Sequence, residues 1–434
     1  MSTGPSPGDG RPETLERAWS LRSRARGLAL DTSPLRLSRP YRNLLVGDAV
    51  SVIGTQVTTV AVPIQVYDQT GSAFAVGLVG LAGLLPLIAF GLYGGAVADA
   101  VDRRRLVLAT TLGQAVLSTV LLAQAVAGLQ WTWLLYLVVA GQSGLFALDS
   151  PARQAFVPRL LPVHLLPAAN ALRQVEFNIG VTAGPLLAGL LVGRFGFASA
   201  YGLDAVSFTA SLWAVASLPA MSPAGGGRKA GLASVVEGLR FLATRPVLLL
   251  TFVVDLVAMV FAMPRALFPA LAEQLYGGGP ETAGALYSAL AAGALLGALG
   301  GGWFGRVRRQ GVAVLAAIVV WGVAIALFGL TDRLWLGLVL LAVAGAADMV
   351  SAVFRTAILQ AAAPDEMRGR LGGVFIVVVA GGPRLGDARA GAGASLVGLQ
   401  GSVVAGGVTC VALVLAIAAV VPRFRAYDAR DPHP

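Results

Sequence analysis

Charged side chains inside long apolar stretches are where this sequence has chemistry to offer. If those stretches cross a bilayer, an ionised group at the centre costs at least about 2.5 kcal/mol on insertion scales, so each needs a partner or a watery cavity. Asp48 and Asp255 come first, because no basic residue lies within one helical turn of either on its own stretch. A carboxylate in a partly dry cavity suits reversible proton binding, and Glu176 joins them as a third candidate for proton coupling. The other embedded charges are Asp149, Arg153, Arg173, Asp348, Arg355, Arg384, Asp387 and Arg389. Arg173 and Glu176 stand three apart, as do Arg384 and Asp387, a spacing that allows an ion pair on one helix face. Fixed ion pairs, or a location at the cytoplasmic mouth, are the competing account of this second set.

Two local patterns add to the charges. GGAVADAVDRRR, Gly94 to Arg105, lies between two apolar stretches. Its arginines serve as a positive-inside anchor, but Asp99 adds nothing to such a signal and needs a partner at the membrane edge. GVTAGPLLAGLL places Gly180, Gly184, Pro185 and Gly189 on one helix. Small residues four apart let two helices touch, and a proline inside a helix removes a backbone hydrogen bond and bends it. Plain helix packing explains the same glycines.

The elements that must position these residues follow from composition. The chain has 434 residues, 56% hydrophobic and 12% charged, with a mean hydropathy of +0.76. Soluble domains carry about 25% charged residues, so the chain reads as a polytopic membrane protein. Stretches of about 20 apolar residues span the hydrocarbon core as helices. Twelve are expected, at 44–67, 73–98, 106–127, 131–156, 167–193 and 197–219, then 246–270, 282–304, 312–330, 334–360, 371–397 and 400–421. Most of the 32 basic residues fall in the tails and in alternate loops, which puts both termini in the cytoplasm.

The expected organisation is a disordered basic tail over 1–43, a six-helix bundle over 44–219, a linker over 220–245, a second bundle over 246–421 and a tail over 422–434. Within the linker, Leu232, Val235, Val236, Leu239, Phe241 and Leu242 can share one side of a short amphipathic helix on the membrane surface. Net charge of +10 spread over loops on one side reads as topology and lipid affinity, not nucleic-acid binding. The single cysteine, Cys410, allows no internal disulfide, and His164 and His433 make no zinc cluster. The one lysine, Lys229, does not sit in a G-K-S/T loop, so a phosphate-loop ATPase is excluded. No G-x-S-x-G elbow or Cys/His pair is present either, so the chain is not read as an enzyme.

The halves repeat. GLYGGAVADAVDRRRLVLA from Gly91 aligns without gaps to GALGGGWFGRVRRQGVAVL from Gly297, Arg153 matches Arg355 with Pro162 against Pro364, and Asp48 corresponds roughly to Asp255. Together with GVTAGPLLAGLL, VVEGLRFLATRPVL and PDEMRGRLGGV, these residues resemble the major facilitator superfamily of transporters, in the branch of enterobactin-exporter-like and macrolide-efflux-like proteins. The resemblance covers about residues 40 to 422.

It implies an all-α membrane fold of two pseudo-symmetric six-helix bundles that rock about a central cavity. In the superfamily's loop motif, Gly95, Asp99, Arg103 and Arg104 match the residues of a conformational latch, while Ala100, Asp102 and Val107 depart from it. The helix 5 pattern resembles the antiporter motif. The resemblance further implies proton-coupled efflux of a small amphiphilic molecule, such as a siderophore or antibiotic, from the inner (plasma) membrane. The proton gradient would supply the energy, with no cofactor, no metal and no obligate protein partner. Proton-coupled nutrient uptake is the alternative within transport, and a lipid scramblase or a non-transporting sensor is the alternative outside it.

Overall fold

The computed structural model describes residues 31–221, 232–362 and 365–430. Twelve long helices dominate them: α1 Arg39–Thr70, α2 Ala73–Ala100, α3 Arg103–Val126, α4 Thr132–Gln154, α5 Leu166–Phe195, α6 Phe197–Ala216, α7 Pro246–Ala262, α8 Pro280–Leu299, α9 Gln310–Leu330, α10 Leu334–Ala362, α11 Asp365–Val397 and α12 Leu399–Val420. Ten helical stretches among the described residues are long and apolar enough to cross a membrane. The two long helices outside that set are α6, which carries Asp204 and several hydroxyls, and α11, which carries Arg384, Asp387 and Arg389.

Local chemistry sets the helix ends. Ser38 caps α1 by accepting from the Tyr41 N–H at 3.3 Å, and Gly71 ends it at a φ of 62°. Residues 39–43, read from the sequence as tail, thus belong to the first helix, where Tyr41 is buried and donates to the Ala169 carbonyl at 3.0 Å. The seventh stretch is not the continuous helix expected over 246–270. It stops at Ala262, passes through extended Met263 and a turn of 3-10 helix at Arg265–Leu267, and resumes as Phe268–Gln274. Pro264 causes the break, since it offers no N–H and pushes the residue before it out of the helical region. The linker helix does form, at Leu232–Ala243, and packs on α11. Leu242 is buried and Leu239 is exposed, while the side chains at 232–236 lie outside the described residues.

Packing repeats between the halves. In the first, α1 lies on α5 and α6, α2 on α4, and α3 on α4 and α6; in the second, α7 lies on α11 and α12, α8 on α10, and α9 on α10 and α12. The halves meet chiefly along two seams, α2 against α11 and α5 against α8. Backbone touches backbone there. A Cβ added at Gly77 would lie 2.7 Å from the Asp387 carbonyl oxygen, at Gly80 2.7 Å from that of Arg384, at Gly391 2.6 Å from that of Ala73, and at Gly189 2.7 Å from that of Pro280. Both seams run near the end of the molecule remote from the termini, where Gln274 also donates to the Tyr67 hydroxyl at 2.6 Å. Large apolar side chains such as Leu85, Leu299, Leu396 and Val420 are exposed, which suits a chain whose surface meets lipid.

Candidate transport and proton-coupling site

Arg153 is the hub of the first bundle. Its Nε donates to both carboxylate oxygens of Asp149 on the preceding turn of α4, each at 2.7 Å. One terminal nitrogen donates to Asp48 of α1 at 2.7 Å and to the Ser211 hydroxyl of α6 at 3.5 Å; the other donates to Thr111 of α3 at 2.6 Å. Four helices thus converge on one guanidinium, whose planar fork suits bidentate carboxylate pairing. The second bundle repeats the hub with Arg355 of α10, paired to Asp255 of α7 and, at 3.7 Å, to Asp348. A narrow crevice adjoins it, lined by Thr251, Phe252, Asp255, Arg355 and Leu359. Asp48 and Asp255, without a base within one turn on their own helices, each take one from a neighbouring helix.

Glu176 is placed differently. Gly180 and Gly184 of α5 press against Val52 and Gln56 of α1, the second so closely that an added Cβ would lie 2.5 Å from the Gln56 Cβ. One turn back along both helices, this register sets Glu176 opposite Asp48. Among the described residues no ion pair joins Glu176 to Arg173, although the spacing would allow one, because the register turns Glu176 toward α1. In the second half, Gly382 and Gly386 press on Met259 and Met263 in the same way. The residue then opposite Asp255 is Val378, so at this position a carboxylate faces the buried aspartate in the first half and an apolar side chain faces it in the second.

The helix 5 glycines divide their work. Gly180 and Gly184 face α1, whereas Gly189 faces α8 and the Pro185 carbonyl packs on Gly284. Arg384 and Asp387 do not pair with each other either. Asp387 accepts from the Ala266 N–H at 3.2 Å and lies 3.9 Å from Arg265, while Arg384 reaches across the seam to the Ser143 hydroxyl at 3.2 Å.

In the last turns of α2, the side chains of Gly95 and Asp99 lie outside the described residues. Arg104 donates to the carbonyls of Val215 and Ala216, at 3.3 and 2.5 Å, and so caps the end of α6 within its own half. Asp102, a departure from the superfamily motif, is the N-cap of α3. It accepts from the Arg105 N–H and the Met221 N–H, each at 3.0 Å. Among the described residues no group of three or more His, Cys, Asp or Glu side chains could hold a metal ion.

One acid escaped the sequence reading. Asp204 of α6 is fully buried, and its Oδ2 accepts from Ser118 of α3 at 2.6 Å and Thr58 of α1 at 2.8 Å. The signal was available: an aspartate within the apolar run 197–219 carries the same cost as Asp48 does in its own.

A family model described as a transmembrane secretion effector matches residues 30–434. The chain belongs to this family. Among curated relatives of the chain are the multidrug efflux pump Tap of Mycolicibacterium fortuitum, 32% identical over 410 residues that cover 90% of this chain and 97% of Tap, and the enterobactin exporter EntS of Shigella boydii, 32% identical over 368 residues that cover 83% and 87%. The fold is shared with the nucleoside transporter NupG, at a TM-score of 0.72 and 13% identity over 88% of this chain and 99% of that one. It is also shared with a bacterial homologue of the lysosomal transporter Spinster in an inward-facing, unoccupied conformation, at 0.64 and 16% over 90% and 97%. The chain is therefore a multi-pass membrane transporter of the major facilitator fold, built from two pseudo-symmetric six-helix bundles.

Proposed function

We propose that this transporter exports a small amphiphilic molecule, of siderophore or antibiotic type, from the cytoplasm across the bacterial inner membrane, driven by inward proton flow. The observation that carries the reading is the pair of glycine seams. They close the end remote from the termini, and with both termini in the cytoplasm that closed end faces outward. A cycle then consists of loading from the cytoplasm, parting of the seams and release outside. The efflux activities named for Tap and EntS support the direction and the type of cargo.

Glu176 carries the coupling in this reading. It is half-buried, it has no hydrogen-bonding partner among the described residues, and it faces Asp48, whose charge Arg153 already holds. Two like charges on facing turns favour protonation of the unpaired member. A proton taken from outside therefore settles on Glu176, and its release inside resets the carrier for cargo. Everted membrane vesicles with an acidified interior test this with a panel of lipophilic dyes and catecholate siderophores. Gradient-dependent accumulation is expected, lost in Glu176→Gln while cargo counterflow persists. Accumulation that ignores a protonophore overturns the coupling, and flux in the opposite direction points to uptake.

A further inference from the structure

Asp204 lies apart from the Arg153 hub, and the coupling at Glu176 does not use it. It is 0% exposed, and every element packed against it presents a neutral group: Thr58 from α1, Ser118 from α3, and Gln142 of α4, which donates to the Ser118 hydroxyl at 3.1 Å. On its own helix, Tyr201 donates to Gln65 of α1 at 2.6 Å and Ser207 donates to the Asp204 carbonyl at 2.7 Å. No basic side chain pairs with it among the described residues, and its Oδ1 is buried without any donor.

An ionised carboxylate would leave half its charge on that bare oxygen in an apolar setting, which a buried site does not tolerate. A neutral acid fits every distance. With the proton on Oδ2, that oxygen donates to one hydroxyl and accepts from the other, since hydroxyls do both, and Oδ1 becomes an ordinary carbonyl oxygen. The acid also sits on a continuous stripe. Tyr201, Asp204, Ser207 and Ser211 line one face of α6 against α1, and Ser211 touches Arg153 of the hub. The second bundle breaks the symmetry. Gly196 and Gly398 begin α6 and α12 with matching backbone at φ of 76° and 78°, and counting from them sets Gly406 where Asp204 stands. The vacated volume is filled by Arg389, whose guanidinium nitrogen would lie 2.6 Å from a Cβ on Gly406.

We propose that Asp204 is a second proton-binding site of this transporter, loaded in this conformation, and that the polar stripe of α1 and α6 connects it to the Asp48–Arg153 hub. The inference extends the proton-coupled reading above, so its first test needs no gradient. Infrared spectroscopy on the full chain in liposomes at neutral pH, with carbon-13 aspartate, should show the carbonyl band of a protonated carboxylic acid. The band is expected to vanish in Asp204→Asn and to survive in Glu176→Gln. Its absence from the wild type, or its survival in Asp204→Asn, overturns the proposal. Should Asp204→Asn fail to insert, Thr58→Val and Ser118→Ala report instead: each must shift the band, and an unmoved band in either overturns the assignment. In everted vesicles Asp204→Asn is expected to lose gradient-driven accumulation and keep counterflow, and an unchanged pH profile refutes a role in coupling.

Discussion

Gly284→Ala tests the seams most directly. A Cβ at Gly284 would run into the Pro185 carbonyl oxygen and lie 3.0 Å from the Gly189 Cα, and backbone atoms cannot rotate aside as a side chain can. Overpacking of a tight contact costs about 1–3 kcal/mol. The strain exists only while α5 and α8 touch, so it falls on the closed state alone. A differential of that size shifts a two-state equilibrium about 5- to 150-fold toward the conformation in which the seam is parted. The reporter is Ser288→Cys in a Cys410→Ser background. Ser288 is buried in the same seam and donates to the Thr182 carbonyl at 2.9 Å, and Cys410 is the only native thiol. Maleimide labelling of Cys at 288 should accelerate by roughly the population shift. A rate unchanged by Gly284→Ala would refute the idea that seam contact sets the balance between the two facing states.

Removing the hub base by Arg153→Met leaves Asp48 and Asp149 facing each other without compensation, and is expected to cost about 3–5 kcal/mol of stability in a thermal melt. Adding Asp48→Asn and Asp149→Asn should recover most of that loss; no recovery would mean the arginine matters for another reason. Arg104→Ala should cost about 0.3–1 kcal/mol as a lost helix C-cap, with transport per folded molecule preserved; a transport defect at unchanged stability would favour the latch role. At the C-terminus, Asp428 is held below the usual carboxylate range first by the Arg430 N–H and then by Arg308. A lowered acid stabilises above its unfolded pKa and lets go as pH falls through the folded one. Protection of the Ala429 N–H, which bonds to the Arg308 carbonyl at 3.0 Å, should therefore fall as the pH drops below about 4, and protection that stays constant well below that pH would rule the link out.

The helix count, the two-fold repeat and the correspondence of Arg153 with Arg355 were legible because hydrophobic runs and charge spacing are local properties. The partner of Asp48 was not, since it lies 105 positions away and depends on which turns of α1 and α4 meet. The same limit explains Arg173 with Glu176 and Arg384 with Asp387. Three-residue spacing permits a pair, but inter-helix register decides whether a competing neighbour, such as Arg265 for Asp387, is nearer. The break after α7 could have been read, because Met263–Pro264 carries a local rule against helix. Asp102 illustrates the opposite case: as a mismatch to a motif it looked like a loss, and the structure gives it a backbone job.

A joint made of main chain against main chain has almost no chemical identity for a cargo to recognise. The parts that move can therefore stay fixed while the parts that choose are altered. Laboratory evolution toward a new cargo should leave Gly77, Gly80, Gly189, Gly284 and Gly391 untouched and vary the side chains around Glu176 and Arg384. The resulting pumps would differ in what they carry and agree in how they open.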